Sequence, residues 1–350
     1  FPTRRSSDLE ILLSIFAGSQ FLADTIIRNP DFIAWIAQPG MIHTLRKRSH
    51  ILEDLRRRSA HSQNTDVWRK ELRVLRKREI LRIGTRDICL GASFSDVVAE
   101  ISGLADAIIQ SSLERIWEKS ARSSSSDSDS FPTLEDSRFA VFAFGKLGGR
   151  ELNYSSDIDL LAVFDAERYK GSEGNPETLL TGVMEQLRAD IADHTVDGLA
   201  YRVDFRLRPY GRSSLLAHSL KSITAYYQTS AALWEKQALI KLRPVAGDLE
   251  FGEQVLKALS GFLIENRDSL EVSNTVRRLR TAAASRGSSI QSGPDIKSGE
   301  GGIRDIEFLV QGLQMIHAGD MPSVLDANTL IGLTNLTDAG IIDENNNRDL

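Results

Sequence analysis

The sequence predicts an α+β protein: a small mixed sheet with its own helices, flanked by a helical N-terminal region and a C-terminal helical bundle. Three observations carry that prediction. The apolar run Phe139 to Phe144 and the run Asp157 to Phe164 are separated by a glycine-rich turn, as two strands would be. The segment YRVDFRLRP alternates strictly, with Tyr201, Val203, Phe205 and Leu207 on one face and Arg202, Asp204, Arg206 and Arg208 on the other. On either side of this block, apolar residues recur at helical spacing. The boundaries read as a helical region over 1–120, a serine-rich linker over 121–137, a sheet-bearing domain over 138–248 and a bundle over 249–350, incomplete at its C-terminal end. Strands are expected near 138–145, 157–164 and 200–208.

In chain order, residues from about Leu9 to Ser120 read as helices. Asp96 to Trp117 places Val97, Ile101, Leu104 and Ile108 on one stripe, with Ser95 as candidate N-cap. Trp68, Leu72, Leu75, Ile80 and Ile83 make a rougher stripe. The basic runs Arg46–Arg48, Arg56–Arg58 and Arg76–Arg78 are interleaved with acidic residues, which predicts solvated helix faces. A net charge of −5 gives no support to nucleic-acid binding. Ala121 to Pro132 is polar and serine-rich, a loop by composition. Pro176 to Thr195 makes an amphipathic helix through Leu179, Val183, Leu187 and Ile191 that packs across the sheet, with His194 at its C-terminal, dipole-favoured end. Ser222 to Leu239 is helical, and Lys241 and Arg243 then flank Leu242 in a short strand-like run that Pro244 ends. From about Leu249 the pattern is helical again. Glu300, Gly301 and Gly302 precede a helix carrying Asp305 in its first turns, where Arg304 and Glu307 are spaced to pair.

Composition narrows the chemistry. One cysteine, Cys89, excludes a disulfide framework and a cysteine-based metal site and fits a reducing cytoplasm. The six histidines show no metal-ligand spacing. No apolar stretch approaches the length of a membrane span. The chain opens on Phe1 and closes within a polar stretch at Leu350, so a piece of a longer protein is expected.

The stretch FGKLGGRELNYSSDIDLLAVF concentrates the candidate chemistry. Residues at i and i+2 on a strand share a face, so Asp157 and Asp159 aim side by side while Ile158 and Leu160 enter a core. Like charges so placed call for a cation between them, and Mg²⁺ is the hard, oxygen-seeking choice. In Gly145-Lys146-Leu147-Gly148-Gly149 the missing side chains permit positive φ and a backbone amide cradle for phosphate. The spacing is not that of a Walker A loop. Ser155 and Ser156 offer hydroxyl donors nearby. A glycine turn leading into a half-buried strand would read the same way. Asp204, flanked by arginines, is the candidate third carboxylate; a charged edge strand is the plain alternative.

These residues resemble the polymerase-beta type of nucleotidyltransferase. More closely, GKLGGRELNYSSDIDLL, VDFRLRPYGRS, WEKQALIKLRPVAGD and GEGGIRDIEFLVQ resemble, in order, the blocks of the glutamine synthetase adenylyltransferase/deadenylylase family. The resemblance runs from about Phe16 to the end. It implies a polymerase-beta-type core over 138–248 and a metal site of Asp157, Asp159 and Asp204, which are also the catalytic residues. It implies nucleotide or phosphate binding by Gly145, Lys146, Gly148, Gly149, Ser155, Ser156, Arg206, Arg208, Lys241, Arg243 and Arg304. For Lys241 and Arg243, edge-strand charges remain the alternative; for the Arg304 block, helix capping does. The family carries two such halves in one chain, one adding AMP from ATP to a tyrosine of glutamine synthetase and one removing it with inorganic phosphate to release ADP. The wording RELNYSSDIDL and GGIRDIEF resembles the removing half. Glutamine synthetase, ATP or phosphate and ADP, and a PII-type signalling protein are the partners implied. A uridylyltransferase of that signalling protein, or a non-catalytic regulatory module, are the rival expectations.

Overall fold

Six consecutive buried residues, Phe139 to Phe144, form the strand on which the sheet is built. A run without a polar position suits a strand covered on both faces and paired on both edges. The computed structural model describes residues 4–61, 64–123, 132–170, 175–211, 214–284, 295–297 and 299–349. In chain order these form α1 (Arg4–Gly18), α2 (Gln20–Arg28), α3 (Asp31–Ile36), α4 (Arg48–Ala60), α5 (Thr65–Leu90), α6 (Phe94–Ser123), β1 (Phe139–Phe144), α7 (Gly145–Gly148) and β2 (Ile158–Phe164). There follow α8 (Pro176–Ala192), β3 (Val203–Asp204), β4 (Ala217–Ser219), α9 (Leu220–Thr229), α10 (Leu233–Ala238), β5 (Arg243–Gly247) and α11 (Leu249–Ser260). The chain closes with α12 (Ser269–Ala284), α13 (Ile303–His317), α14 (Thr329–Asp338) and α15 (Glu344–Asp349). The class is the predicted one, α+β with a small mixed sheet. Residues 124–131 of the serine-rich linker lie outside the described residues.

The strand order is β3-β2-β1-β5, with β4 also on β2. β1 runs antiparallel to β2 from Phe139 opposite Phe164 to Phe144 opposite Asp159. It runs antiparallel to β5 as well, with a register shift between Val141 and Phe142, and β4 is parallel to β2. The chain divides into two compact units: one of Phe1–Phe131, Arg150–Ile158 and Gly182–Val203, the other of Pro132–Gly149, Asp159–Thr181 and Asp204–Leu350.

In the first unit the predicted stripes are core: Trp68, Leu72, Leu75, Ile80 and Ile83 of α5, and Val97, Ile101, Leu104 and Ile108 of α6, are buried. The N-cap of α6 is Ser93, whose Oγ accepts the Asp96 N–H at 3.1 Å; Ser95 lies inside the helix. The basic runs 46–48, 56–58 and 76–78 are exposed or half-buried, as read, and the buried arginines lie outside them. Arg82, 0 % exposed, donates to Glu79 at 2.9 Å and to Glu100 at 2.6 Å, and Arg86 and Arg46 join the same carboxylates. Arg73, 1 % exposed, donates to the carbonyls of Asp190 (3.1 Å) and Asp193 (2.6 Å) at the end of α8 and to that of Gly198 (2.7 Å) in the loop beyond it. A buried guanidinium needs this many partners to offset its desolvation.

In the second unit Ala140, Phe142 and Phe144 alternate onto a core with Ile223 and Tyr227 of α9 and Phe251 and Val255 of α11. Asp248 caps α11 by accepting the Phe251 N–H at 2.8 Å. A second core joins Val310 of α13 to Leu333 and Leu336 of α14.

Three sequence expectations are corrected. The strand over 200–208 is only Val203–Asp204, because the chain turns at once and Arg208 goes inside, donating to the carbonyls of Phe205 (2.8 Å) and Ser214 (3.2 Å). Pro244 does not end the strand-like run: β5 begins at Arg243 and passes through it. Proline is tolerated there because β5 is the edge strand and Pro244 pairs with Phe142 at the register shift. On α8 the buried stripe is Leu180, Val183, Met184, Leu187 and Ile191, and Leu179 is exposed.

Arg82→Ala is expected to cost about 3–5 kcal/mol, since Glu79 and Glu100 lose their buried counter-charge. Arg57→Ala, which removes an exposed pair with Asp54, should cost less than about 1 kcal/mol. Urea unfolding of both variants at neutral pH checks this. A second expectation concerns His218. It is buried, its Nε2 lacks a partner, and burial and then Arg208 push it down to about 4. The unfolded chain takes up this proton near pH 6.5, so the contribution, about 3 kcal/mol, is complete above that pH and is lost as pH falls towards about 4. His218→Gln should flatten that part of the acid loss, read as the difference between parent and variant urea midpoints across the window.

Candidate active site

β1 delivers the chain to Gly145, whose φ of +57° glycine adopts readily. A Cβ there would lie 3.1 Å from Oδ2 of Asp159, which β2 holds opposite Phe144. Asp159 is the one position of β2 that is not fully buried, while Ile158 and Leu160 face the core as predicted. The glycine stretch is not an open turn. Gly145–Gly148 (α7) closes one turn of helix, with the Gly149 N–H donating to the Gly145 carbonyl at 3.0 Å. That spends the Gly149 amide, and the N–H groups at the start of the turn are those with no intrahelical partner. Gly148 is needed for space: a Cβ would overlap the Lys241 carbonyl oxygen and sit 2.8 Å from that of Ala143.

The far side of the turn is held by side chains. Arg243 donates through Nη2 to the Leu147 carbonyl at 2.8 Å and through Nε to that of Gly148 at 3.1 Å. Asn328 Nδ2 donates to the Gly149 carbonyl at 3.2 Å. Lys241, buried, donates to Thr329 Oγ1 at 3.0 Å. Lys241 and Arg243, anticipated either as phosphate contacts or as edge charges, are committed here to groups of the protein. Asn328 and Thr329 escaped the sequence reading. Their only signal was an Asn-Thr pair before an apolar helical run, which marks a helix start and nothing more.

The carboxylates have guanidinium partners. Asp157, just before β2, pairs with Arg202, whose Nη2 also reaches the Ser155 carbonyl at 2.8 Å. Asp204 accepts the Arg206 N–H at 2.8 Å and its Nε at 2.6 Å. The three aspartates offer only hard carboxylate oxygens, a donor set that fits a divalent cation such as Mg²⁺. Among the described residues, no three His, Cys, Asp or Glu side chains are gathered closely enough to hold a metal ion. Lys146 lies half-buried on the turn, Ser155 is exposed and Ser156 half-buried. Arg206 is exposed; Arg208 is buried, and burial lowers its pKa. Arg304 sits in the first turn of α13 and forms no ion pair with Glu307 among the described residues; the neighbouring Asp305 takes Arg280 at 2.8 Å instead.

The sheet and its glycine turn are those of an α+β nucleotidyltransferase core. A model of the family described as glutamate-ammonia ligase adenylyltransferase matches residues 9–258, and the chain belongs to that family. A model described as GlnD PII-uridylyltransferase matches residues 271–350. The chain is similar to bifunctional glutamine synthetase adenylyltransferase/adenylyl-removing enzymes. That of Pseudomonas aeruginosa is 33% identical over 324 residues, 89% of this chain and 32% of the relative. That of Stenotrophomonas maltophilia is 32% identical over 342 residues, 95% of this chain and 35% of the relative. The chain spans about a third of the length of these relatives. Among the described residues no helix is long and apolar enough to cross a membrane.

Gly148→Ala is expected to destabilise the protein by about 2 kcal/mol or more, because both clashing atoms are backbone. The loss in urea midpoint, measured beside an exposed control, Gly182→Ala, whose Cβ meets nothing within 4 Å, checks it.

Proposed function

We propose that this chain carries Mg²⁺-dependent nucleotidyl transfer on glutamine synthetase, in the direction that removes AMP from its modified tyrosine. The observation that carries the reading is Asp159 seated over the Gly145 turn, in a chain of the adenylyltransferase family. Magnesium, held by Asp157, Asp159 and Asp204, would neutralise phosphate oxygens and stabilise the entering and leaving oxygens of an in-line displacement. To hold it, Asp157 and Asp204 would have to leave their arginine partners, Arg202 and Arg206. Arg206, already exposed, is placed to pair with phosphate bidentately. Lys146 and the opening N–H groups of the turn bind further phosphate oxygens. In the removing direction, inorganic phosphate attacks the phosphorus of AMP-tyrosine. Its P–O bond to tyrosine breaks, ADP forms, and the tyrosine oxygen regains a proton. The adding direction, from ATP with release of pyrophosphate, uses the same groups. A cytoplasmic setting and control by a PII-type protein complete the reading.

A second reading, uridylyl transfer to a PII-type signalling protein, is favoured by one observation, the uridylyltransferase model matched over 271–350. The deciding experiment incubates the chain and Mg²⁺ with adenylylated glutamine synthetase and phosphate, with unmodified enzyme and ATP, and with a PII protein and UTP. Mass spectrometry follows the tyrosine. Loss of AMP with ADP appearing is the expected result. Transfer from UTP alone would move the assignment to the second reading. Asp157→Asn and Asp159→Asn are each expected to lower turnover by at least about a hundredfold while leaving the unfolding curve in place; an active double variant would sink the metal assignment.

A further inference from the structure

One amide does two things in the second unit. The Oδ1 of Asn328 accepts the N–H groups of Leu330 and Ile331, both at 3.1 Å, and so caps α14. Its Nδ2 donates to the Gly149 carbonyl at 3.2 Å. Two N–H donors on one end identify that end as oxygen, so the side chain cannot be flipped without losing all three bonds. The next residue, Thr329, accepts Lys241 Nζ, and the Lys241 carbonyl is the surface against which Gly148 packs. Arg243 holds the carbonyls of Leu147 and Gly148. Three successive carbonyls leaving the glycine turn are therefore satisfied by side chains of two segments, 241–243 and 328–329.

We propose that Asn328 is a positioning residue for the glycine turn: from the start of α14, through the Gly149 carbonyl, it sets where the turn sits beneath Asp159. This rests on the reading above that the turn and Asp159 serve nucleotidyl transfer. An isolated helical turn is unfavourable, so its position is dictated by what ties it down. Placement matters because a displacement of about 1 Å can cost a factor of about 100 in rate. Capping alone does not demand asparagine, since Asp and Ser cap as well. The donor is what asparagine adds, and the donor is the group that faces the turn. Any shift of the α14 start must then carry the turn with it or break the bond, which couples the C-terminal helices to the candidate site.

Two substitutions separate the roles. Asn328→Asp keeps the cap acceptor, loses the donor and sets a carboxylate against the Gly149 carbonyl. Asn328→Ser keeps a cap with too short a reach for Gly149. In the 350-residue chain, both should speed amide hydrogen exchange over 145–149 by about fivefold or more, with exchange over 332–336 unchanged. In the phosphorolysis assay kcat should fall about tenfold while KM for adenylylated glutamine synthetase stays within about twofold. Unchanged exchange over 145–149 and unchanged kcat in both variants would make Asn328 a helix cap only and overturn the proposal. So would equal loss of protection over α14 and the turn in both, which reports general loosening. If the parent chain shows no transfer in any arm, the functional reading fails on its own. Exchange over 145–149 then decides the tie, faster upholding it and unchanged overturning it.

Discussion

The candidate site hangs on one backbone contact, the packing of Gly148 against the carbonyl of Lys241. It follows from the sheet. β1 and β5 are antiparallel neighbours with Ala143 opposite Arg243, so the turn that leaves β1 lands beside the residues that lead into β5. There is room at that point for backbone and for nothing larger. Once the turn is there, Arg243 is at the right level to take the carbonyls of Leu147 and Gly148, which a longer helix would have bonded internally. One turn of helix does not pay its own nucleation, so these external bonds replace the missing length. Gly145, at the other end, keeps the space beside Asp159 clear.

What was legible in the sequence was periodicity and composition. β1 and β2 were readable because their apolar runs are bounded by glycine and aspartate, and Ile158 and Leu160 enter the core as the alternation assigns them, while Asp157 falls just ahead of the strand. What was illegible was anything decided by a partner far along the chain. YRVDFRLRP alternates perfectly, yet only Val203 and Asp204 pair as strand, because Arg208 finds more acceptors inside the following turn than an edge would give it. Pro244 looked like a terminator and is an edge residue beside a register shift. The glycine motif was visible; the helical turn within it was not, since four residues carry no periodicity.

The arginines make the same point in the first unit. A single arginine on a helix with acidic neighbours fits a solvated face and a buried ion network equally well, because the local pattern is the same. Only the packing of α4, α5 and α6 places Arg82 between Glu79 and Glu100 with no access to water. Arg73 is another such case, donating to the nearby Arg69 carbonyl and to three carbonyls more than 100 residues further along the chain. These charges build the fold, and their number in the sequence says nothing about a polyanionic ligand.

The carboxylates of the candidate site differ from those of the core in what their ion pairs cost to break. Arg82 is sealed, so its pairs are retained whatever happens at the surface. Asp157 and Arg202 are 47% and 61% exposed, and a pair so open to water is worth no more than about 1 kcal/mol. Arg206 is equally open, though the Asp204 it holds is only 15% exposed and is oriented besides by the Arg206 N–H, a bond that does not need the guanidinium. On the proposed reading this is the useful arrangement. The arginines aim two carboxylates, and their exposed guanidiniums can be given up to phosphate at small cost because solvent already shares them. A pair buried as deeply as Arg82 and Glu79 would hold its aspartate against any incoming metal. In the second unit the exposed guanidinium of Arg206 and the tightly held glycine turn join exchangeable charge to fixed backbone.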